Sequence, residues 1–137
     1  MTKTTKKGVI LVGHGSKEPY NKETIEYFAS MLRARGEYDF VAAGFMQINT
    51  PSIEETMQKA LDTGIERLFI VPVFLERGIH LNQDVPAILG LSAGKKSRVI
   101  NAGGREVQML YAEPLGKDDR IFEIIRDRIK EVESAAI

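Results

Sequence analysis

The sequence predicts an α/β fold, a single doubly wound, flavodoxin-like domain with a four-stranded parallel sheet flanked by helices. Three observations carry this. Four short apolar runs each lead into a segment of helical spacing, the pattern of βαβ units around a parallel sheet. Two of those runs are almost continuously apolar, as strands buried on both faces should be. And 137 residues make one domain around one core.

The strand runs are "GVILVG" (8–13), "DFVAAGFM" (39–46), "RLFIVPVFL" (67–75) and "VQMLYA" (107–112). The first helix is expected from about Asn21 to Arg35, because Ile25, Phe28, Ala29 and Leu32 share one face at i, i+3, i+4, i+7 spacing, and Gly36 supplies a left-handed stop. Thr50 followed by Pro51 reads as an N-cap and first-turn proline, opening a helix that turns Ile53, Met57, Ala60 and Leu61 inward and ends at Gly64. In the last helix, Ile121, Ile124, Ile125, Ile129 and Val132 form a stripe expected to face the sheet, with Asp118 and Asp119 at the positive end of its dipole. Pro72 cannot donate to a strand ladder, so a bulge or an unpaired position is expected there. Residues 1–7 read as a flexible N-terminus and the polar, glycine-rich stretch 92–106 as a mobile loop, all within one domain spanning 1–137.

Composition removes several classes of function. Hydrophobic residues make up 43% and charged residues 28%, with 19 basic side chains against 19 acidic ones, so there is no cationic excess of the kind nucleic-acid binding needs. No apolar stretch approaches the ~20 residues of a membrane span, and "MTKTTKKG" has no apolar core for a signal peptide, so a cytoplasmic protein without membrane or nucleic-acid partners is expected. The absence of cysteine rules out thiolate chemistry and cysteine-ligated metals.

The chain has two histidines, His14 in "GHGS" and His80 in "ERGIH". Each follows an apolar strand run. In a doubly wound sheet of strand order 2-1-3-4, ligands bind beyond the carboxyl ends of strands one and three, where the order reverses, so both imidazoles are expected at the one crevice this fold reserves for ligands. Either histidine alone reads as readily as a structural or surface residue; their joint placement favours a shared site. Gly13, Gly15 and Gly78 leave the nearby backbone uncrowded for a ligand. Two imidazoles without thiols make an open, exchangeable metal site rather than a closed structural one. Ser16 as a hydrolase nucleophile is an alternative, although "GHGS" lacks the G-x-S-x-G elbow, and the spacing of a phosphate loop is absent.

The stretches "LVGHGSKEPYNKE", "TPSIEETMQKAL", "IVPVFLERGIHLNQDVPAILGL" and "EPLGKDDRI" resemble the small single-domain class II chelatases of archaea, the sirohydrochlorin cobaltochelatase and nickelchelatase family, over nearly the whole chain. The resemblance implies a chelatase-like fold and insertion of Co2+ or Ni2+ into the tetrapyrrole sirohydrochlorin, en route to cobalamin or a nickel tetrapyrrole coenzyme. It implies metal ligation by His14 and His80, with His14 also the proton acceptor, and substrate contacts at Thr50, Leu75, Glu76, Arg77, Gly78, Ile79 and His80. No permanently bound cofactor is expected; the divalent ion is a substrate. Larger chelatases look like two such units fused, so a homodimer is implied. In two places the chain departs from some relatives: residues 92–106 carry no histidine, and Arg77 stands where a histidine can occur.

The chemistry suits the residues. A macrocycle that takes up a divalent ion loses two core protons, so the site needs a base and a weak, open perch for the metal. One nitrogen cannot hold metal and proton at once, which assigns His80 mainly to the ion and His14 first to the ion, then to the proton. Lys17, Arg77, Lys95, Lys96 and Arg98 are candidates for the substrate carboxylates. Ferrochelation, or a non-catalytic metal or tetrapyrrole carrier, are the rival readings. Both imidazoles must be neutral to act, so insertion is expected to speed up as pH rises through the range in which histidines ordinarily titrate, whereas a carboxylate base would put the acid limb near pH ~4. Rate profiles at two metal concentrations check this: an acid limb near pH ~4 that ignores the metal would contradict it.

Overall fold

The computed structural model describes residues 5–134. Its element order is β1 (Lys7–Gly13), α1 (Tyr20–Ala34), β2 (Phe40–Phe45), α2 (Ile53–Asp62), β3 (Arg67–Pro72), a π-helical turn (His80–Asp84) running into α3 (Val85–Leu89), β4 (Ser97–Ala102), β5 (Arg105–Tyr111) and α4 (Asp119–Ser134). The strands form one five-stranded sheet of order β2-β1-β3-β5-β4, parallel except for β4. The four expected strands therefore lie in the expected order, and the order reverses between β1 and β3.

The fifth strand corrects the reading of 92–106 as a mobile loop. Residues 97–102 pair antiparallel with β5 from Ser97↔Leu110 to Ala102↔Arg105. Gly103 and Gly104, at φ 59° and 79°, make the two-residue turn between them, a conformation both glycines adopt without the steric cost a side chain would bring. Ile100 and Ala102 then rest on the core, which gives an otherwise polar strand its register. Of the expected flexible segment 1–7, residues 1–4 lie outside the described residues, and Lys7 already opens β1.

Helix α1 ends as expected at Gly36, at φ 68°, and α2 is followed by Gly64 at φ 85°. The start of α2 differs from the Thr50–Pro51 reading. Ser52 is the N-cap: its hydroxyl accepts from the Glu55 N–H at 3.1 Å, and the Glu55 carboxylate accepts from the Ser52 N–H at 3.0 Å. This reciprocal box satisfies two free backbone donors, which a cap at Thr50 would leave open. The Ser52 N–H and hydroxyl hold the Glu55 carboxyl below its ordinary range. Inside α2, Ile53 and Ala60 are buried, Met57 and Leu61 pack beside them, and the buried Thr56 hydroxyl lies 3.0 Å from the Ala43 carbonyl and 2.9 Å from that of Ser52.

Two cores flank the sheet. On one side α2 and α3 cover Ile10, Val12, Leu68, Ile70, Val107 and Met109; on the other α1 lays Ile25 and Ala29 over Val9, Leu11, Val41, Ala43 and Phe45. Strand β1 is buried on both faces, as its sequence implied. Strand β3 is not: Leu68 and Ile70 are buried, but Phe69 and Val71 on the α1 side are only half-covered. Phe28 is likewise exposed, while Ile25 and Ala29 of the α1 stripe are buried and Leu32 is partly so. Pro72 ends β3 paired with Val12, and the next N–H, of Val73, donates to the Val12 carbonyl at 2.9 Å. The missing donor of Pro72 thus points to the other side, where pairing with β5 has stopped at Ile70↔Tyr111, so the expected unpaired position is present at the strand end.

The largest departure is α4. None of its residues is buried, it touches the other elements only incidentally, and Ile124, Ile125, Ile129 and Val132 face outward instead of toward the sheet. Asp118 does start it, accepting from the Arg120 N–H at 2.9 Å, and the Arg120 side chain and N–H hold the Asp118 carboxyl well below the usual range.

At the carboxyl end of β5 the Tyr111 hydroxyl donates to the Leu81 carbonyl at 3.2 Å, fixing the π turn to the sheet, and burial pushes its phenol up to about 12. A raised acid keeps its proton in the folded state, so this contribution is present below the ordinary tyrosine range near ~10 and is lost as pH climbs toward the folded value. Thermal midpoints measured between pH ~10 and ~12 are expected to fall more steeply for this chain than for Tyr111→Phe; equal slopes would show that the phenol does not carry the effect.

Candidate functional site

The two histidines meet. Their ring centroids are 4.9 Å apart at an interplanar angle of 73°, over the carboxyl ends of β1 and β3. Phe74, just past β3, stands 6.0 Å from the His14 ring and closes one wall of the crevice.

His14 leaves β1 directly. Its Nδ1 lies 3.0 Å from the Gly15 carbonyl, and in the tautomer with Nδ1 protonated it donates there and leaves the Nε2 lone pair free. The Gln47 amide nitrogen stands 3.5 Å from the same Nδ1 and donates to it only in the other tautomer. Around it the β1–α1 and β2–α2 loops are locked together, with Ser16 N–H donating to the Asn49 side chain at 2.8 Å and Met46 N–H to the Gly13 carbonyl at 3.0 Å, while Gly15 N–H donates to the Asn21 side chain at the start of α1 at 3.0 Å. Ile48, in the same loop, is held at φ 64°, a region costly for a β-branched residue.

The glycines flanking His14 serve the protein's own packing and not the approach of a ligand. A Cβ on Gly13 would lie 2.8 Å from Ile25 and Phe45, and one on Gly15, at φ 89°, would lie 1.9 Å from the Gln47 carbonyl oxygen. Gly78 alone is open, with nothing within 4 Å of such a Cβ.

His80 sits on the π turn, where the Val85 N–H reaches back to the His80 carbonyl. Its Nδ1 is 2.7 Å from an Asp84 carboxylate oxygen. That carboxylate accepts a hydrogen bond from Nδ1–H, which leaves Nε2 without a hydrogen-bond partner among the described residues. Asp84 was not picked out from the sequence, although a carboxylate four residues after a histidine, one helical turn away, was a readable signal. Among the described residues no group of three or more histidine, cysteine or acidic side chains is gathered for a metal, so the two imidazoles form an open pair.

The segment expected to touch substrate, Leu75 to Ile79, is an exposed arch between β3 and His80, with Leu75 and Ile79 about two-thirds exposed at 63% and 65%. Thr50 is exposed on the β2–α2 loop, next to the Asn49 that holds Ser16. Of the five cationic candidates, Arg77, Lys95 and Lys96 come together with Tyr111 around a cavity of about 230 Å³. Arg77 pairs with Glu113, and Lys96 reaches the other oxygen of the same carboxylate at 3.5 Å, so two cations share one anion. Desolvation, then the neighbouring Arg77, lowers the Lys96 ammonium from its ordinary value. Arg98 is spoken for, donating to the Leu89 and Gly90 carbonyls at the end of α3, and Lys17 stands apart on the β1–α1 loop. The Ser16 hydroxyl accepts from the Glu18 N–H at 3.1 Å and makes no hydrogen bond to either histidine among the described residues, so the nucleophile reading has no base. The roomier cavities, of about 460 and 400 Å³, lie at the opposite end of the strands and contain neither histidine.

Among known proteins, the chain is 42% identical over 130 residues to a sirohydrochlorin cobaltochelatase of Methanothermobacter thermautotrophicus, covering 90% of each chain. It is 37% identical over 135 residues to a sirohydrochlorin cobaltochelatase of Methanopyrus kandleri, covering 90% of this chain and 94% of that one. Among solved structures, a CbiX protein from Marinobacter aquaeolei superposes with a TM-score of 0.66 at 28% identity, over 95% of this chain and 99% of that one. The fold also recurs in the cobalt complex of the sirohydrochlorin chelatase SirB from Bacillus subtilis, with a TM-score of 0.76 at 21% identity, where 93% of this chain matches only 51% of the other. No helix of the described residues is long and apolar enough to cross a membrane. The CbiX family pattern matches residues 8–132, and the chain belongs to that family.

Proposed function

We propose that the protein is a sirohydrochlorin chelatase that inserts Co2+ into the macrocycle, with Ni2+ the second ion its imidazole pair suits. The observation that carries this is the pair itself: two imidazoles 4.9 Å apart, each with Nδ1 engaged by an oxygen and Nε2 free. The relatives named as cobaltochelatases support the choice of reaction and metal.

The ion is held between the two Nε2 atoms as an open, weakly bound guest. Sirohydrochlorin enters over the exposed 75–79 arch and sets carboxylates on Arg77, Lys95 and Lys96, with Arg77 and Lys96 exchanging their present bonds to Glu113 for bonds to the substrate. Thr50, on the neighbouring loop, makes a further contact. As the metal passes to the core nitrogens, the His14 Nε2 is freed and accepts the two core protons in turn, handing each to bulk water, with the Gly15 carbonyl holding the ring while it is charged. His80, tied to Asp84, remains the metal ligand until transfer. Two copies of the chain enclose one macrocycle, in keeping with the doubled length of SirB.

Purified protein mixed with sirohydrochlorin and separate Co2+, Ni2+ and Fe2+ salts tests the proposal through the shift in macrocycle absorbance. Fastest conversion is expected with Co2+; a preference for Fe2+ would make the protein a ferrochelatase, and binding without conversion a carrier. His80→Ala is expected to weaken metal binding more than macrocycle binding, and unchanged metal affinity in a calorimetric titration would contradict its role. Asp84→Ala is expected to lower metal affinity by roughly 10–100-fold, while Asp84→Asn, whose amide oxygen can still accept from Nδ1–H, retains most of it. An Asp84→Ala variant with full affinity would show that the carboxylate does not orient the ring.

A further inference from the structure

Ile48 is strained and exposed at once. This β-branched residue is held at φ 64°, in the left-handed region that glycine and asparagine occupy far more easily. Its side chain is 59% exposed and belongs to neither core, so among the described residues no packing offsets the strain. The conformation is imposed from both sides. The Asn49 N–H donates to the Gln47 carbonyl at 2.6 Å, closing a three-residue turn with Ile48 at its tip in the rare, positive-φ form. At the base of the loop the Phe45 N–H donates to the Pro51 carbonyl at 2.9 Å and the Met46 N–H to the Gly13 carbonyl at 3.0 Å, while the Asn49 side chain holds Ser16. Strained residues persist only where their surroundings over-determine them, and they gather at binding and catalytic sites.

The turn stands at the crevice. It follows β2, the neighbour of β1, and its Gln47 amide nitrogen lies 3.5 Å from Nδ1 of His14. On the other side of β1 the arch after β3 raises Leu75 and Ile79, both exposed, and Phe74 stands 6.0 Å from the His14 ring. Apolar side chains thus flank the histidine pair on both sides. The cations Arg77, Lys95 and Lys96 gather on one side only, around Tyr111 at the end of β5. A tetrapyrrole has the matching distribution, an apolar ring system at the centre and carboxylates at the rim.

We infer that Ile48 is a specificity-determining residue that touches the face of the macrocycle. It packs against ring carbons from the β2 side, opposite the arch, and sets the height and tilt of the core nitrogens over the two histidines. Binding makes the apolar contact that folding leaves unmade, so stability and affinity pull in opposite directions at this position.

The inference rests on the chelatase reading above, and one set of measurements separates the two. The unsubstituted chain, Ile48→Asn and Ile48→Leu are compared by thermal melting, by absorbance titration with sirohydrochlorin in the absence of metal, and by the rate of Co2+ insertion. Ile48→Asn removes the strain and the apolar contact together. It is expected to melt higher, by about 3 °C, yet to bind the macrocycle about tenfold more weakly, with KM rising in step and Co2+ affinity unchanged in a calorimetric titration. Ile48→Leu keeps an apolar side chain and is expected to restore most of the macrocycle affinity. If the unsubstituted chain converts sirohydrochlorin and Ile48→Asn binds it equally tightly, this inference alone falls. A lower melting midpoint for Ile48→Asn would also overturn it, by giving Ile48 its role in the fold. An unsubstituted chain that neither binds nor converts sirohydrochlorin would overturn the chelatase reading and this inference with it.

Discussion

His14→Ala is expected to slow metal insertion by about 1,000-fold, within the range lost when a positioned general base is removed, while the chain stays folded. On the proposed mechanism the variant loses one of the two Nε2 atoms that face the ion and the group assigned to accept core protons as the ion departs. Its structural cost is small, because the imidazole is half-exposed in the crevice and makes one clear hydrogen bond, to the adjacent Gly15 carbonyl. A loss within about 1 kcal/mol is expected, a shift of a few degrees in the thermal midpoint. Steady-state insertion within a few-fold of the unsubstituted chain, with an unchanged melting curve, would remove His14 from the mechanism.

Gly15→Ala is expected to damage both stability and activity. At φ 89° the residue occupies backbone space that an L side chain rarely adopts, and its Cβ would fall 1.9 Å from the Gln47 carbonyl oxygen, a rigid backbone atom. The β1–α1 and β2–α2 loops must part, breaking the Ser16–Asn49 hydrogen bond beside His14. The strain and the lost bond together are worth at least about 2 kcal/mol, and a displacement of His14 by an ångström costs on the order of 100-fold in rate. Denaturant titration and insertion kinetics on the same sample check the two effects. A variant as stable and as fast as the unsubstituted chain would show that the loops are not coupled through this contact.

Much of this was legible in the sequence where local pattern and burial agree. The βαβ rhythm, the order of the four parallel strands and the stops at Gly36 and Gly64 followed from apolar spacing and turn chemistry. So did the meeting of His14 and His80, because the reversal of strand order admits only one crevice. What escaped was set by partners distant in sequence. Strand β4 reads as polar because it is an edge strand with one face on the core, and its one local sign was the Gly103–Gly104 pair. Gly13 and Gly15 are glycines because of Phe45 and Gln47, more than thirty positions away. The start of α2 was misplaced because Thr50–Pro51 is a common opening signal, and the Ser52–Glu55 box two residues later outcompetes it by satisfying two donors. The α4 stripe shows that a helix has an apolar face; it does not say whose core that face enters.

The central claim is that the histidine pair passes a metal to the macrocycle and takes up core protons. Absorbance and proton release recorded together test this most directly, with the unsubstituted protein, sirohydrochlorin and Co2+ in a weakly buffered solution. The account predicts a Co2+-dependent spectral shift that releases two protons for each macrocycle converted, with both signals rising at one rate and both slowed by about 1,000-fold in His14→Ala. Tight binding of ion and macrocycle with no spectral shift and no proton release would contradict it.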